Sequence, residues 1–112
     1  MSVKIYHNPK CSKSRQTLEL ITKRGIKPDI VEYLVNPPSA VELKGLLDML
    51  ALEPRDILRC KEAREEGIAS DLDGPALIKA ICKHPRSLQR PIVVKDGKAA
   101  VGRPPENVLN IL

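Results

Sequence analysis

The stretch KIYHNPKCSKSR, residues Lys4 to Arg15, joins a strand pattern to a helix pattern and has a single cysteine at the junction. Apolar and polar residues alternate from Val3 to His7, which predicts a β-strand, and the Asn-Pro pair that follows ends it. From about Cys11 onward the pattern becomes helical, and Gly25 suits the left-handed residue after a helix end. The run Asp29 to Leu34 is rich in β-branched residues and predicts a second strand. Strand, helix and strand in this order predict a right-handed parallel βαβ unit.

The middle of the chain carries helical patterns only. Ser39 and Glu42 have the spacing of a capping box at a helix start. The leucines that follow share one helical face: Leu43, Leu46, Leu47 and Leu50. A short helix with Pro54 in its first turn comes next, and the polar segment from Lys61 to Asp73 predicts a broken helix and a loop. A further helix, with Leu77, Ile78 and Ile81 on one face, ends before Pro85.

Two apolar runs near the C-terminus flank Asp96-Gly97, a pair that favours a tight hairpin turn because both central residues need positive φ. The segment RPPENVLNIL, residues 103–112, predicts a short final helix with Val108, Leu109 and Leu112 facing inward. The order β-α-β, several helices, then β-β-α predicts an α/β fold with a small mixed sheet. No linker is long enough to divide the chain, so we expect a single domain over residues 1–112.

Composition and charge argue against several classes of protein. Hydrophobic residues make up 42% of the chain and charged residues 29%, which is ordinary for a globular protein outside the membrane. No apolar run is long enough to cross a bilayer, and the N-terminus lacks the pattern of a secretion signal, so we expect a cytoplasmic protein without a membrane partner. The net charge is +5, but Tyr6 and Tyr33 are the only aromatic residues besides the histidines. Without a platform on which bases could stack, no nucleic-acid partner is expected.

Three cysteines at wide spacing, Cys11, Cys60 and Cys82, argue against a disulfide framework and against a zinc cluster, and no metal site is expected. Free thiols in a reducing compartment are the natural interpretation. Cys82 extends the apolar face of a helix and is expected to be inert. Cys60 follows Arg59 at the edge of a polar segment and is expected to be a partly exposed bystander, although its position directly after Arg59 leaves a second redox path open.

Cys11 has different neighbours. A junction from strand to helix places it at the first turn, where unpaired N–H groups and the positive end of the helix dipole stabilise a thiolate. Ser14 and Arg15 follow at helical spacing on the same side, and Lys10 and Lys13 add positive charge. The same N–H groups bind oxyanions. The sequence therefore predicts a nucleophilic sulfur beside a site for an anion.

His7 ends the first strand on the same face as Val3 and Ile5. It could carry a proton or orient the thiolate, and it could equally be a structural histidine held by hydrogen bonds. The sequence leaves both roles open.

With the segment YHNPKCSKSRQTLELI interpreted in this way, the chain resembles the glutaredoxin-coupled arsenate reductase family, whose signature is an HNP turn, one nucleophilic cysteine and a following Ser-Arg. Further matches lie in YLVNPPSAVEL, ILR, RPIVV and GRPPENVLNIL, so the resemblance covers nearly the whole chain. It implies a thioredoxin- or glutaredoxin-like fold with an inserted helical region, which here would be the helices between Ser39 and His84.

The resemblance also implies a function. Cys11 would attack arsenate, and His7, Ser14 and Arg15 would help to activate its thiol. Three arginines would hold the oxyanion: Arg59, Arg90 and Arg103. Glutathione would attack the Cys11–arsenate adduct, and glutaredoxin would complete the reduction to arsenite, with no tightly bound cofactor. A cis bond before Pro91, facing the thiol, is part of the same resemblance. Forked guanidinium groups suit the several acceptor oxygens of arsenate better than lysine does.

Two other functions are alternatives to arsenate reduction. Redox-responsive regulators of RNA polymerase resemble this family but tend to carry a Cys-x-x-Cys switch, and the fourth position of CSKS is Ser14. A monothiol glutaredoxin-like thiol transferase could use Cys11 alone, but it would not need three arginines near the thiol. A protein phosphatase is disfavoured, since its loop needs arginine six residues after the cysteine and Thr17 stands there.

Overall fold

The computed structural model describes residues 3–112, and the predicted order of elements is confirmed. The strands are β1 (Val3–His7), β2 (Asp29–Glu32), β3 (Ile92–Lys95) and β4 (Lys98–Val101). The α-helices are α1 (Ser12–Lys23), α2 (Ala40–Leu50), α3 (Cys60–Glu65) and α4 (Gly74–Lys83). Short 3-10 helices span Pro54–Ile57, Pro85–Ser87 and Pro105–Asn110. None of the helices in the described part of the chain is long and apolar enough to cross a membrane.

The sheet is mixed, as predicted, and its strands lie in the order β2-β1-β3-β4. β1 pairs in parallel with β2 and antiparallel with β3, so that Ile5 lies between Ile30 and Val93 in the register. The parallel pair is connected through α1, which confirms the βαβ unit. β3 and β4 form the predicted hairpin, and both turn residues have positive φ, 51° at Asp96 and 76° at Gly97.

The chain divides into two compact units, and each has its own buried apolar side chains. The first unit holds the sheet, α1 and the segment Arg90–Leu112. Its core cluster consists of buried side chains from the sheet, α1 and the last 3-10 helix: Val3, Ile5, Ile21, Val93 and Val108. These residues pack α1 and the last 3-10 helix against the sheet.

The second unit is Pro37–Gln89, and it contains the predicted helical insertion. α2 begins as predicted, because the hydroxyl of Ser39 accepts a hydrogen bond from the backbone N–H of Glu42. The largest fully buried side chains of the second unit come from three helices and one bridge residue: Leu43, Leu46, Ile57, Leu77, Ile81 and Leu88. The sequence predicts that the whole chain forms a single domain, and this stays a prediction.

Two element predictions need correction. The second strand ends at Glu32 and not at Leu34, because its last partner is His7, where β1 ends. The next residues form a turn in which Val35 N–H donates to the Glu32 carbonyl, and the Tyr33 side chain is buried. The last helix is a 3-10 helix, and of its predicted inward-facing residues only Val108 is fully buried.

Candidate active site

The loop between β1 and α1 is organised by Asn8. Its side-chain oxygen accepts a hydrogen bond from Lys10 N–H at 3.0 Å, and its carbonyl accepts from Cys11 N–H at the same distance. Arg15 holds the loop from the other side, since its Nη1 donates to the Pro9 carbonyl at 2.9 Å. These contacts fix the turn that delivers Cys11 to the start of α1.

Ser14 connects this loop to the end of β1. Its side chain is fully buried, and its hydroxyl accepts a hydrogen bond from Asn8 N–H at 3.0 Å. Nδ1 of His7 lies 2.6 Å from the same hydroxyl oxygen. Burial lowers the pKa of His7, and Arg15 lowers it further while Glu32 opposes the shift. His7 is therefore a neutral, buried group at neutral pH, and its direct contact is with Ser14.

Cys11 is the N-cap residue of α1, with φ −94° and ψ 123°, and it is half-buried. It makes no short side-chain cap hydrogen bond. Burial is the largest single influence and raises the pKa of its thiol, but the backbone N–H groups of Ser14 and Lys13 favour the thiolate and, together with Arg103 and Arg90, outweigh burial. The pKa of Cys11 is lowered, as the sequence predicts for a cysteine at this position.

Arg103 and Arg90 come to the same sulfur from the far end of the chain. Nη2 of Arg103 lies 3.5 Å from Sγ of Cys11, and its Nε donates to the Arg90 carbonyl at 2.8 Å. The charge of Arg103 and a hydrogen bond from the Arg90 side chain both lower the pKa of Cys11. Two of the three predicted arginines therefore act on the predicted nucleophile.

The bond between Arg90 and Pro91 is cis, as predicted. A second cis bond joins Arg103 to Pro104, and this one was not predicted. In both positions the residue before the proline is an arginine of the site.

Arg59 lies in the second unit, at the N-cap of α3. Its Nε donates to the carboxylate of Glu62 at 2.9 Å, and its Nη1 donates to the side-chain oxygen of Gln89 at 3.0 Å. Its predicted role as an oxyanion ligand stays a prediction.

The other two cysteines differ from Cys11. Cys82 was expected in the inert core of its helix face, but it is half-buried. Burial, reinforced by Glu42, raises the pKa of its thiol, which makes it a poor nucleophile. Cys60 is exposed. Among the described residues, no group of three or more His, Cys, Asp or Glu side chains is placed to hold a metal ion.

Sequence reasoning missed two residues that build the site. Asn8 was interpreted as the end of a strand and as part of the HNP turn, but its hydrogen bonds to Lys10 and Cys11 were not predicted, although Asn before Pro is a known turn signal. Gly102 was not singled out at all. It is buried at the end of β4, directly before Arg103, and it contacts Thr17 and Pro91. A glycine immediately before a functional arginine is the signal that could have found it.

Comparison with known proteins agrees with this geometry. The fold and the site define a thioredoxin-like protein with a cysteine at the start of its first helix. The chain belongs to the ArsC family, whose family model matches residues 6–111. The family and the thioredoxin-like fold predicted from the sequence are thereby confirmed.

Individual relatives are similar over nearly their whole length. The chain is 46% identical to an arsenate reductase of Neisseria meningitidis serogroup A, over 98% of this chain and 97% of the relative. An uncharacterized protein of Escherichia coli K12 is 48% identical over 98% of this chain and 96% of its own length. The solved structure of an arsenate reductase from Vibrio cholerae superimposes with a TM-score of 0.93 at 51% identity, covering 100% of this chain and 98% of that one.

Proposed function

We propose that this protein reduces arsenate to arsenite, with Cys11 as the nucleophile. The observation that carries the proposal is the approach of Arg103 to the sulfur, with Nη2 3.5 Å from Sγ, at a cysteine whose pKa is lowered. A cation beside a thiolate both stabilises the nucleophile and attracts an anionic substrate. The similarity to proteins named arsenate reductases supports arsenate as that anion.

In the proposed first step the Cys11 thiolate attacks arsenic, a sulfur–arsenic bond forms, and one arsenate oxygen leaves as water after taking up protons. Arg90 and Arg103 hold the remaining oxygens through their guanidinium groups. The N–H groups at the start of α1 offer further donors to the oxyanion. His7, Ser14 and Arg15 act indirectly in this scheme, because their contacts fix the loop that carries Cys11.

The reduction needs two electrons, and we propose that two thiols supply them. One is Cys11 and the other is glutathione, which attacks the adduct so that arsenic leaves as arsenite and the two sulfurs remain as a mixed disulfide. Glutaredoxin then reduces that disulfide and returns Cys11 to the thiolate. The reaction belongs in the cytoplasm, where glutathione keeps thiols reduced. No tightly bound cofactor takes part.

A coupled assay tests the proposal. Purified protein is mixed with glutathione, glutaredoxin, glutathione reductase and NADPH, and the oxidation of NADPH is followed at increasing arsenate concentration. We expect a saturable rate that depends on both arsenate and glutathione. Cys11→Ser should abolish it. A rate equal to that of the arsenate-free control, or an active Cys11→Ser protein, would contradict the proposal.

A further inference from the structure

Gly102 occupies a space in which no larger residue fits. A Cβ atom built on Gly102 would lie 2.5 Å from Oγ1 of Thr17, 2.8 Å from Cγ of Pro91 and 3.1 Å from Cγ2 of Thr17. Distances under 3.0 Å require the neighbouring atoms to move. Both Thr17 and Pro91 are buried, so neither can swing into solvent to make room. Gly102 is therefore a point of close approach between the end of β4, helix α1 and Pro91.

This contact lies within one residue of the arginine that reaches the sulfur. Gly102 N–H donates to the Pro91 carbonyl at 2.9 Å, and the next residue, Arg103, donates to the Arg90 carbonyl at 2.8 Å and approaches Cys11 Sγ. The chain after β4 is thus held against the Arg90-Pro91 segment by two consecutive residues.

Thr17, which Gly102 approaches, is also connected to one of the N–H donors that favour the Cys11 thiolate. The hydroxyl of Thr17 donates to the Lys13 carbonyl at 2.8 Å, and Lys13 supplies one of the N–H groups that lower the pKa of Cys11. Thr17 is therefore hydrogen-bonded to the first turn of α1, at whose start the sulfur lies.

We propose that Gly102 is a positioning residue for the reaction: the absence of a side chain lets β4 approach α1 closely enough for Arg103 to reach the Cys11 sulfur and the oxyanion. This inference rests on the proposed function. A methyl group at position 102 pushes the chain away from Thr17 and Pro91, and Arg103 moves with it. A displacement of about 1 Å at a reacting centre can cost on the order of 10²-fold in rate.

The test compares Gly102→Ala with Gly45→Ala, whose added methyl group would meet nothing within 4 Å. The first measurement is the rate of alkylation of Cys11 against pH in a Cys60→Ser, Cys82→Ala background, which needs no arsenate. The second is kcat and KM in the coupled assay. We expect Gly102→Ala to raise the pKa of Cys11 toward that of an ordinary thiol and to raise the KM for arsenate, while Gly45→Ala leaves both unchanged.

Thr17→Ala in the Gly102→Ala protein provides the rescue, since it removes the atoms at 2.5 and 3.1 Å. We expect the pKa and the KM to return part of the way toward wild type in the double variant, because Cγ of Pro91 stays 2.8 Å from the added methyl group. A wild-type pKa and KM in folded Gly102→Ala overturn the inference, and so does a double variant with no recovery. If Gly102→Ala does not fold, recovery of folding with a lowered Cys11 pKa in the double variant supports it, and a double variant that stays unfolded overturns it. Because the alkylation needs no substrate, a protein that fails to reduce arsenate can still pass or fail this test.

Discussion

The charge state of Cys11 depends on its burial and on a few hydrogen-bonding and charged groups around it. Burial raises the pKa of the thiol, and the N–H groups of Ser14 and Lys13 and the charge of Arg103 are among the influences that lower it. Because the thiolate is the species that is alkylated, we expect the alkylation rate to rise with pH and to have its midpoint below the value of about 8.5 that an ordinary cysteine shows. Iodoacetamide labelling between pH 4 and pH 10, followed by mass spectrometry of the Cys11 peptide, measures this midpoint.

Cys82 and Cys60 serve as internal controls in the same experiment. The pKa of Cys82 is raised by burial, so its labelling should begin only at higher pH. Cys82→Ala should keep the activity of the wild type and lose some stability. An unshifted midpoint at Cys11, or a loss of turnover in Cys82→Ala, would mean that the reactive thiol has been misassigned.

The buried hydroxyl of Ser14 contributes to stability through two polar contacts. Its hydroxyl is the acceptor for the buried N–H of Asn8, and it lies 2.6 Å from Nδ1 of His7. Ser14→Ala leaves both groups without this partner, and an unsatisfied buried donor costs about 1–3 kcal/mol. We expect the free energy of unfolding in urea to fall by that amount. Ser12→Ala, in the same helical turn but exposed, is the matched control and should change the stability by less than about 0.5 kcal/mol. Equal stability of the two variants would refute the role of the Ser14 hydroxyl.

Among the elements, the β3–β4 hairpin depends most directly on one residue. Gly97 has φ 76°, a left-handed conformation in which a side chain is strained, although nothing within 4 Å would obstruct a Cβ atom there. Gly97→Ala should therefore destabilise the protein by about 1–2 kcal/mol through the backbone alone. Gly45→Ala, in the middle of α2 and without positive φ, should instead raise the stability by about 0.5–1 kcal/mol. Urea unfolding of the two variants measures the opposite signs, and destabilisation by both would contradict the backbone explanation.

The elements that the sequence predicted well have local signals. β1, α1 and the hairpin are each defined by residues within the element, such as the alternation before Asn8 and the Asp96-Gly97 pair. The predicted end of β2 was wrong because the true end depends on a residue far away in the sequence: β1 offers no partner beyond His7. The apolar residues of Asp29–Leu34 contain no information about where the neighbouring strand stops.

The features of the site also separate into those with a local sequence signal, which could be predicted, and those that depend on distant residues. The lowered pKa of Cys11 could be predicted from the residues around it, because the helix N-terminus and its donors are neighbours in sequence. The approach of Arg103 to Cys11 joins residues 92 positions apart, and the sequence offered it only through resemblance to a family. The contact between Gly102 and Thr17 was not predicted, since close packing of two buried residues leaves no pattern in the spacing of either.

At the scale of the whole molecule, the three arginines that the sequence predicts as oxyanion ligands are divided between the two compact units. Arg103 and Arg90 belong to the unit that contains Cys11, whereas Arg59 belongs to Pro37–Gln89. Arg103 is among the causes of the lowered pKa of Cys11, and Arg59 is not. The two arginines should therefore differ in their effect on the nucleophile even if both bind arsenate.

Lysine substitutions separate these effects. Arg103→Lys keeps the charge but cannot donate to the Arg90 carbonyl and approach the sulfur at the same time, so we expect a raised Cys11 pKa and a fall in kcat/KM of at least about 10-fold. Arg59→Lys should raise the KM for arsenate and leave the Cys11 pKa unchanged. Arg86→Lys is the matched control, because Arg86 also pairs with a glutamate in the second unit but has no proposed role at the site. If Arg59→Lys behaves like Arg86→Lys in the coupled assay, arsenate is held by the first unit alone; if Arg59→Lys raises the Cys11 pKa, Arg59 acts on the thiolate as well as on the substrate.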